Sequence, residues 1–341
     1  MKKRIKRIKG LNILLITGII LLLIGFIPLP YYVTKPGLAQ PLSPYVKVEG
    51  AISQPGDFML TTVAMSKANI YTYLETYMNP IYHLYKTSDI KLNGESEKDY
   101  EFRQKLYMEE SKQAAILNAY KKAGKPFQYN QNGVLVISVI KDMPAYQKLK
   151  LGDVITKVNQ SKIQTVKDFT NKITKGKPGT RFTLEVKRKN HTFIENIKTK
   201  AFKENPKRSG IGVSIVNNVK LTTQPNVTIN SEEIGGPSGG LMFTLETYDQ
   251  LIDENLAKGY EIAGTGTIDE EGNVGPIGGI SQKIVAASDA GAKLFFAPAE
   301  KGRKNSNYNE AVKTAKKYKI KMKIVPVNTF DDALSYLEKM K

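Results

Sequence analysis

Gly235-Gly236-Pro237-Ser238-Gly239-Gly240 is the sharpest local feature of the chain. Glycines and a proline packed around one serine do not continue a helix or a strand, so the segment reads as a tight turn. The apolar stretch 241–256 follows directly and reads as a helix. A serine placed just ahead of a helix can be exposed, with backbone N–H groups pointing at whatever it meets. The same serine also suits an N-cap in a tight turn.

Strand and helix patterns alternate around this turn. Residues 211–216, 227–229, 260–268, 294–297 and 322–327 read as strands, and 281–290, 308–317 and 330–340 as further helices. The alternation predicts an α/β domain over 205–341.

The turn matches G-x-S-x-G literally, yet it cannot be an α/β-hydrolase elbow. That arrangement needs a histidine after the serine, and the two histidines, His83 and His191, both precede Ser238. The chain has no cysteine, which excludes disulfides, thiol catalysis and cysteine-bound metals. No metal site and no cofactor are expected. A serine without histidine needs another base, and a lysine of lowered pKa can serve. Lys258, Lys283 and Lys293 follow the serine. Lys283 has Ile280, Ala286 and Ala287 at helical spacing, an apolar setting close to a helix start that disfavours its charged form. A lysine on an apolar face can also simply snorkel.

Three motifs in order carry a family resemblance: Gly-Pro-Ser-Gly-Gly at 236–240, Gly264-Thr265-Gly266-Thr267, and Gly275-Pro276-Ile277-Gly278-Gly279 followed by Lys283. Together they resemble the proteolytic domain of Lon-type serine proteases. The resemblance implies Ser238 as nucleophile, Lys283 as general base and Thr265 as the residue that orients the lysine. It also implies that Gly236, Pro237 and Gly239 shape the serine loop and the oxyanion region. Many Lon enzymes carry an acidic residue three positions before the serine, where this chain has Gly235. No G-x-x-x-x-G-K-[ST] stretch occurs, so peptides or already unfolded proteins are the expected substrates, cleaved without ATP.

Upstream, residues 45–65 alternate apolar and polar side chains around Gln54-Pro55-Gly56-Asp57, which predicts a hairpin. Helices are predicted over 66–86 and 96–123. Tyr71, Leu74, Tyr77 and Met78 form a stripe expected to pack in a core. From Gly133 the pattern changes to short strands, with Leu-Gly-Asp-Val-Ile at 151–155 and a short helix at 166–173. This string resembles a bacterial PDZ domain. The resemblance implies capture of an extended peptide as an added strand, with its carboxylate loop near Asn132, Gly133, Val134 and Leu135.

Six basic residues in 1–10 precede an apolar run from Leu11 to Leu29. Such a run predicts a transmembrane helix over 11–30, with a cytoplasmic basic tail and an extracytoplasmic catalytic domain in a single-pass cell-membrane protein. The whole chain then resembles the membrane-anchored PDZ-containing Lon-like proteases, a group that includes pheromone-processing enzymes. The predicted organisation is α+β: tail 1–10, transmembrane helix 11–30, strand and helical connector 31–125, PDZ-like β-rich domain 126–203, and Lon-type α/β domain 205–341.

The formal charge of +19 invites a nucleic-acid reading. Its distribution argues otherwise, since 1–10 carry +6 and 121–203 carry +14, while 205–341 carry only +1. No nucleic-acid partner is expected. The basic PDZ-like segment suits anionic lipid, wall polymers or acidic peptide tails. Lon-type domains often form rings, so a homo-oligomer is a further expectation. Two other function classes compete: a PDZ adaptor with an inactive protease domain, and a polyanion-binding surface protein.

Overall fold

The protein is described from a computed structural model covering residues 2–52, 54–92, 94–203, 205–231 and 234–340, except the side chains of 2–11 and 13. The chain opens with α1 (Lys2–Ile24), β1 (Tyr31–Pro41), β2 (Val46–Val48), β3 (Asp57–Lys67), α2 (Ile70–Met78), β4 (His83–Lys86), α3 (Thr87–Ile90) and α4 (Glu97–Ala123). A β-rich stretch follows, with β5 (Phe127–Val139), β6 (Val154–Val158), β7 (Ser161–Lys162), α5 (Val166–Ile173), β8 (Arg181–Arg188), β9 (His191–Lys198), β10 (Lys200–Phe202), β11 (Asn205–Gly210) and β12 (Val213–Thr223). The remainder is β13 (Val227–Ile229), α6 (Gly240–Asp249), β14 (Glu261–Gly264), β15 (Thr267–Ile268), β16 (Val274–Gly275), α7 (Ile280–Asp289), β17 (Leu294–Pro298), a 3₁₀ turn at Glu300–Gly302, α8 (Asn307–Lys317), β18 (Lys323–Val327) and α9 (Phe330–Lys339).

The principal sheet runs β18-β17-β14-β3-β1-β4. β14 pairs in parallel with β17 on one side and with β3 on the other, so residues far apart in sequence share one sheet. Segment 31–125 is therefore no connector. β1 and β3 belong to the C-terminal sheet, and α4 packs with α6 through a common core that includes Met108, Ala115, Leu241 and Leu245. The predicted hairpin at 45–65 does not form either. β3 pairs with β1 and β14, while β2 pairs with β13. Alternation marked the strands correctly, but the partners that bury them come from elsewhere in the chain.

A second sheet, β12-β5-β6-β8-β9, has its own core of Val134, Val136, Ile155, Leu184, Val186 and Ile197. It extends past residue 203, because β12 pairs with β5 from Val213↔Val139 to Thr223↔Phe127. The Gln224 N–H donates to the Pro126 carbonyl at 3.0 Å, so this unit leaves the other domain and returns to it at nearly the same point. It is an insertion, and the larger α/β domain is discontinuous.

The N-terminal expectation is corrected. The helix ends at Ile24, and a turn follows at 25–27, short of the expected end. Its apolar part from Leu11 to Ile24 rises about 21 Å, against the ~30 Å of a bilayer's hydrocarbon core. Among the described residues no helix is long and apolar enough to cross a membrane. The single-pass membrane placement is accordingly dropped. Of the basic tail 1–10, only the helical backbone of residues 2–10 falls within the described residues. The α2 stripe is also corrected. Tyr77 and Met78 are 73% and 85% exposed, and α2 buries no residue, because β4 rather than more helix follows it.

Two constructions separate a discontinuous domain from a linear one. Replacing 127–223 by a short Gly-Ser linker should leave one cooperative thermal transition by circular dichroism. The fragment 205–341, which lacks β3 beside β14, should show none.

Candidate active site

The serine turn is held from three directions. Gly236 sits at φ +86°, a region that favours glycine, and its N–H donates to the Gln104 carbonyl on α4 at 3.0 Å. The Ser111 hydroxyl, also on α4, donates to the Pro237 carbonyl at 3.0 Å. The Ser238 carbonyl accepts from the Gly266 N–H at 2.9 Å and from the Thr265 hydroxyl at 2.9 Å. Two close approaches demand glycine at 240. A Cβ there would lie 2.8 Å from both Ser111 Oγ and Ile268 Cγ2.

Lys283 stands in the first turn of α7, entered through Gly279 at φ +71°. Its side chain is only 3% exposed, and its neighbours Ile280, Ala286 and Ala287 are buried with it. Nζ lies 2.8 Å from the Thr61 carbonyl, 2.9 Å from Ser238 Oγ and 3.0 Å from Thr265 Oγ1. Burial alone pulls the ammonium down to about 7, far below the ordinary lysine range. The side chain buries its amine rather than snorkelling.

The hydrogen-bond inventory of this amine fixes its orientation. A neutral amine has two N–H donors and one lone pair. The Thr61 carbonyl can only accept, so it takes one N–H. The Thr265 hydroxyl already gives its proton to the Ser238 carbonyl, so its oxygen can only accept the second N–H. The lone pair is left facing the Ser238 hydroxyl. Thr61 was missed by sequence reasoning for a physical reason. It acts toward Lys283 through its backbone carbonyl, which leaves no mark in residue type, and its side chain donates instead to the Gly264 carbonyl at 2.9 Å.

Ser238 and Lys283 line a cleft of about 780 Å³ together with Leu38, Leu60, Thr62, Val63, Tyr45 and Met108, among others. That size suits a peptide segment. Among the described residues no group of His, Asp and Glu side chains could hold a metal ion.

A family model for the Lon protease C-terminal proteolytic domain matches residues 225–339, and one for the PDZ domain matches 122–199. The chain contains a Lon-type proteolytic domain and a PDZ domain. Similar proteins include the Lon protease of Campylobacter concisus, 37% identical over 99 residues, which are 29% of this chain and 11% of that protein. The Lon protease of Metamycoplasma arthritidis is 33% identical over 106 residues, 31% of this chain and 12% of that protein. An archaeal Lon protease from Methanothermobacter thermautotrophicus is 36% identical over 83 residues, 24% and 12% of the two chains. The chain thus spans about a tenth of the length of the curated relatives it matches. Among solved structures, the PDZ domain of an SdrC-like protein from Listeria monocytogenes is 30% identical, covering 25% of this chain and 88% of that one, with a TM-score of 0.23. The domain match and the Lon relatives support a serine peptidase.

The Lon-type match begins at 225, yet three residues before it bond to the site: Thr61 to the Lys283 amine, Gln104 to Gly236 and Ser111 to Pro237 of the serine turn. In the PDZ domain the expected carboxylate loop needs correction. Val134 pairs with Ile155 on one side and Asn217 on the other, and Leu135 with Val154 and Val216. A strand bonded on both sides offers no edge to an added peptide. Asn132 and Gly133 belong to the same strand, and the Asn132 carbonyl already accepts from the Asn218 side chain at 2.9 Å. The edge strands of the sheet are β12 and β9, and of these β12 lies beside α5, whose first N–H donates to Asn217 Oδ1 at 2.8 Å. The signal for it is a glycine-punctuated turn at 210–212 ahead of an alternating strand.

Burial of Lys283 carries a stability consequence. Its folded pKa lies below its unfolded one, so between about pH 7 and the ordinary lysine range the unfolded chain binds more protons. Stability contributed by this group therefore rises with pH across that window. Lys283→Met removes the penalty of burying a charge. Its Tm should exceed that of the parent most at about pH 6, and the gap should narrow toward about pH 10. A gap that is constant with pH would contradict the buried-amine account.

Proposed function

We propose that this chain is a serine endopeptidase in which Lys283 is the general base for Ser238, with the PDZ domain capturing or regulating substrate. The observation that carries the reading is the spent donor capacity of the Lys283 amine, which leaves its lone pair on the serine hydroxyl.

The neutral amine takes the Ser238 proton as Oγ attacks a peptide carbonyl. Charge develops on the carbonyl oxygen, and main-chain N–H groups at the start of α6 stabilise it. Such donors contribute roughly 2.7–4 kcal/mol each in comparable sites. The ammonium so formed then gives its proton to the leaving amine, and the acyl-enzyme is hydrolysed by water activated by the same lysine. Thr265 keeps the amine aimed by accepting one of its N–H bonds. No phosphate-cradling loop occurs in these residues, so flexible peptides and unfolded chains are the fitting substrates. A peptide captured by the PDZ domain would add along the outer edge of β12.

Three acidic residues of this domain are paired, Glu195 with Lys148, Glu185 with Lys157 and Asp153 with Arg188. The net +14 of residues 121–203, which those pairs leave unchanged, suits attraction of acidic peptide tails at short range.

Two measurements test the reading. Cleavage of a flexible fluorogenic peptide should fall at least about 10³-fold in Ser238→Ala and in Lys283→Ala. Wild-type cleavage no faster than in both variants would favour a PDZ adaptor with an inactive protease domain. For the wild type, kcat/KM should rise with pH along one ionisation near pH 7, because only the neutral amine is a base. A profile flat from about pH 6 to 9, with chemistry rate-limiting, would remove Lys283 from the role.

A further inference from the structure

We propose that Ser111 on α4 is a positioning residue for the oxyanion site, acting through the Pro237–Ser238 peptide; this rests on Ser238 being the nucleophile. Gly235 stands three positions before the serine, and what packs against it comes from outside the matched domain. A Cβ added at Gly235 would lie 3.0 Å from the Cβ of Gln104, so α4 fills the space where a side chain would stand.

From that position α4 grips two consecutive peptide units of the serine turn. Its Gln104 carbonyl accepts the Gly236 N–H, and its Ser111 hydroxyl donates to the Pro237 carbonyl. A peptide group is planar, so holding the Pro237 carbonyl on one side sends the Ser238 N–H to the other. Among the described residues the Ser238 N–H has no hydrogen-bond acceptor. It is available for an oxyanion. The Pro237 carbonyl also accepts the Gly240 N–H at 3.3 Å, a longer contact that alone leaves the peptide less firmly fixed. Ser111 is 3% exposed, too buried for its hydroxyl to exchange this partner for bulk water.

The grip is separate from the base. Ser111 touches neither Lys283 nor its partners Thr61 and Thr265. Losing it should therefore misplace the oxyanion donor while leaving the ionisation of the amine unchanged. Misplacement of this kind costs on the order of 10²-fold in rate.

The test uses the full chain with Ser111→Ala, assayed beside Ser238→Ala and Lys283→Ala on the same peptide. The expected result is a kcat lower by about 10- to 100-fold, with KM, Tm and the pH midpoint unchanged. A peptide boronic acid, which presents a tetrahedral oxyanion to the serine, should lose affinity by a similar factor. Ser111→Ala with wild-type kcat, or with kcat, KM and Tm falling together, overturns the proposal. Should Ser111→Ala fail to fold, Gly235→Val decides, because it pushes α4 and the turn apart from the opposite side. Reduced kcat at unchanged KM and pH midpoint supports the grip, and wild-type kcat overturns it. If Ser238→Ala retains wild-type activity, the nucleophile reading itself has failed. If Ser238→Ala is inactive and Ser111→Ala is fully active, only the role of α4 has failed.

Discussion

A buried amine next to a serine hydroxyl is the interaction on which the rest of the site depends. An ammonium out of water is costly, and the protein lowers that cost by favouring the neutral form. Neutrality alone would leave the lone pair free to point anywhere. The Thr61 carbonyl and the Thr265 oxygen take both N–H bonds, and the remaining direction is the serine. The supports come from different parts of the chain: β3 supplies Thr61, the link after β14 supplies Thr265, the start of α7 supplies the lysine, and the turn before α6 supplies Ser238. The fold's task is to bring these four elements to one point.

That requirement explains why the proteolytic domain is discontinuous. β3 must lie beside β14 for its carbonyl to reach Lys283, and α4 must lie against the serine turn. Both precede the inserted domain in sequence. The insertion leaves after α4 and returns before β13, at adjoining points, so it interrupts the chain without separating those contacts. A family match confined to 225–339 therefore covers the motifs but not all of the structural partners.

Much was legible from local pattern. The helix predicted at 166–173 is α5 to the residue, and the strands and helices after 260 lie close to their expected places. Ser238 and Lys283 are marked locally by a glycine turn and an apolar helical face, whereas Thr265 is reached only through the family resemblance. Errors arose where the deciding contact was remote. The stripe of Tyr71, Leu74, Tyr77 and Met78 has helical spacing, but spacing does not say whether anything covers it. The apolar run after the basic tail has the composition of a span, while the helix stops at Ile24. The carboxylate loop expected near 132–135 falls on β5, since nothing in those residues reveals a strand paired on both sides.

The sequence by itself determined the chemistry available: no cysteine, no histidine after the serine, and a lysine on an apolar helical face. It also determined which turns must hold glycine, because those constraints are local and steric. Only the tertiary structure decided that the Thr61 carbonyl meets the lysine, that α4 grips the serine turn, and that β12 rather than β5 lies at an edge of the PDZ sheet. These contacts join residues far apart in the chain, two of them through backbone atoms that every residue shares. Residue type therefore could not announce them.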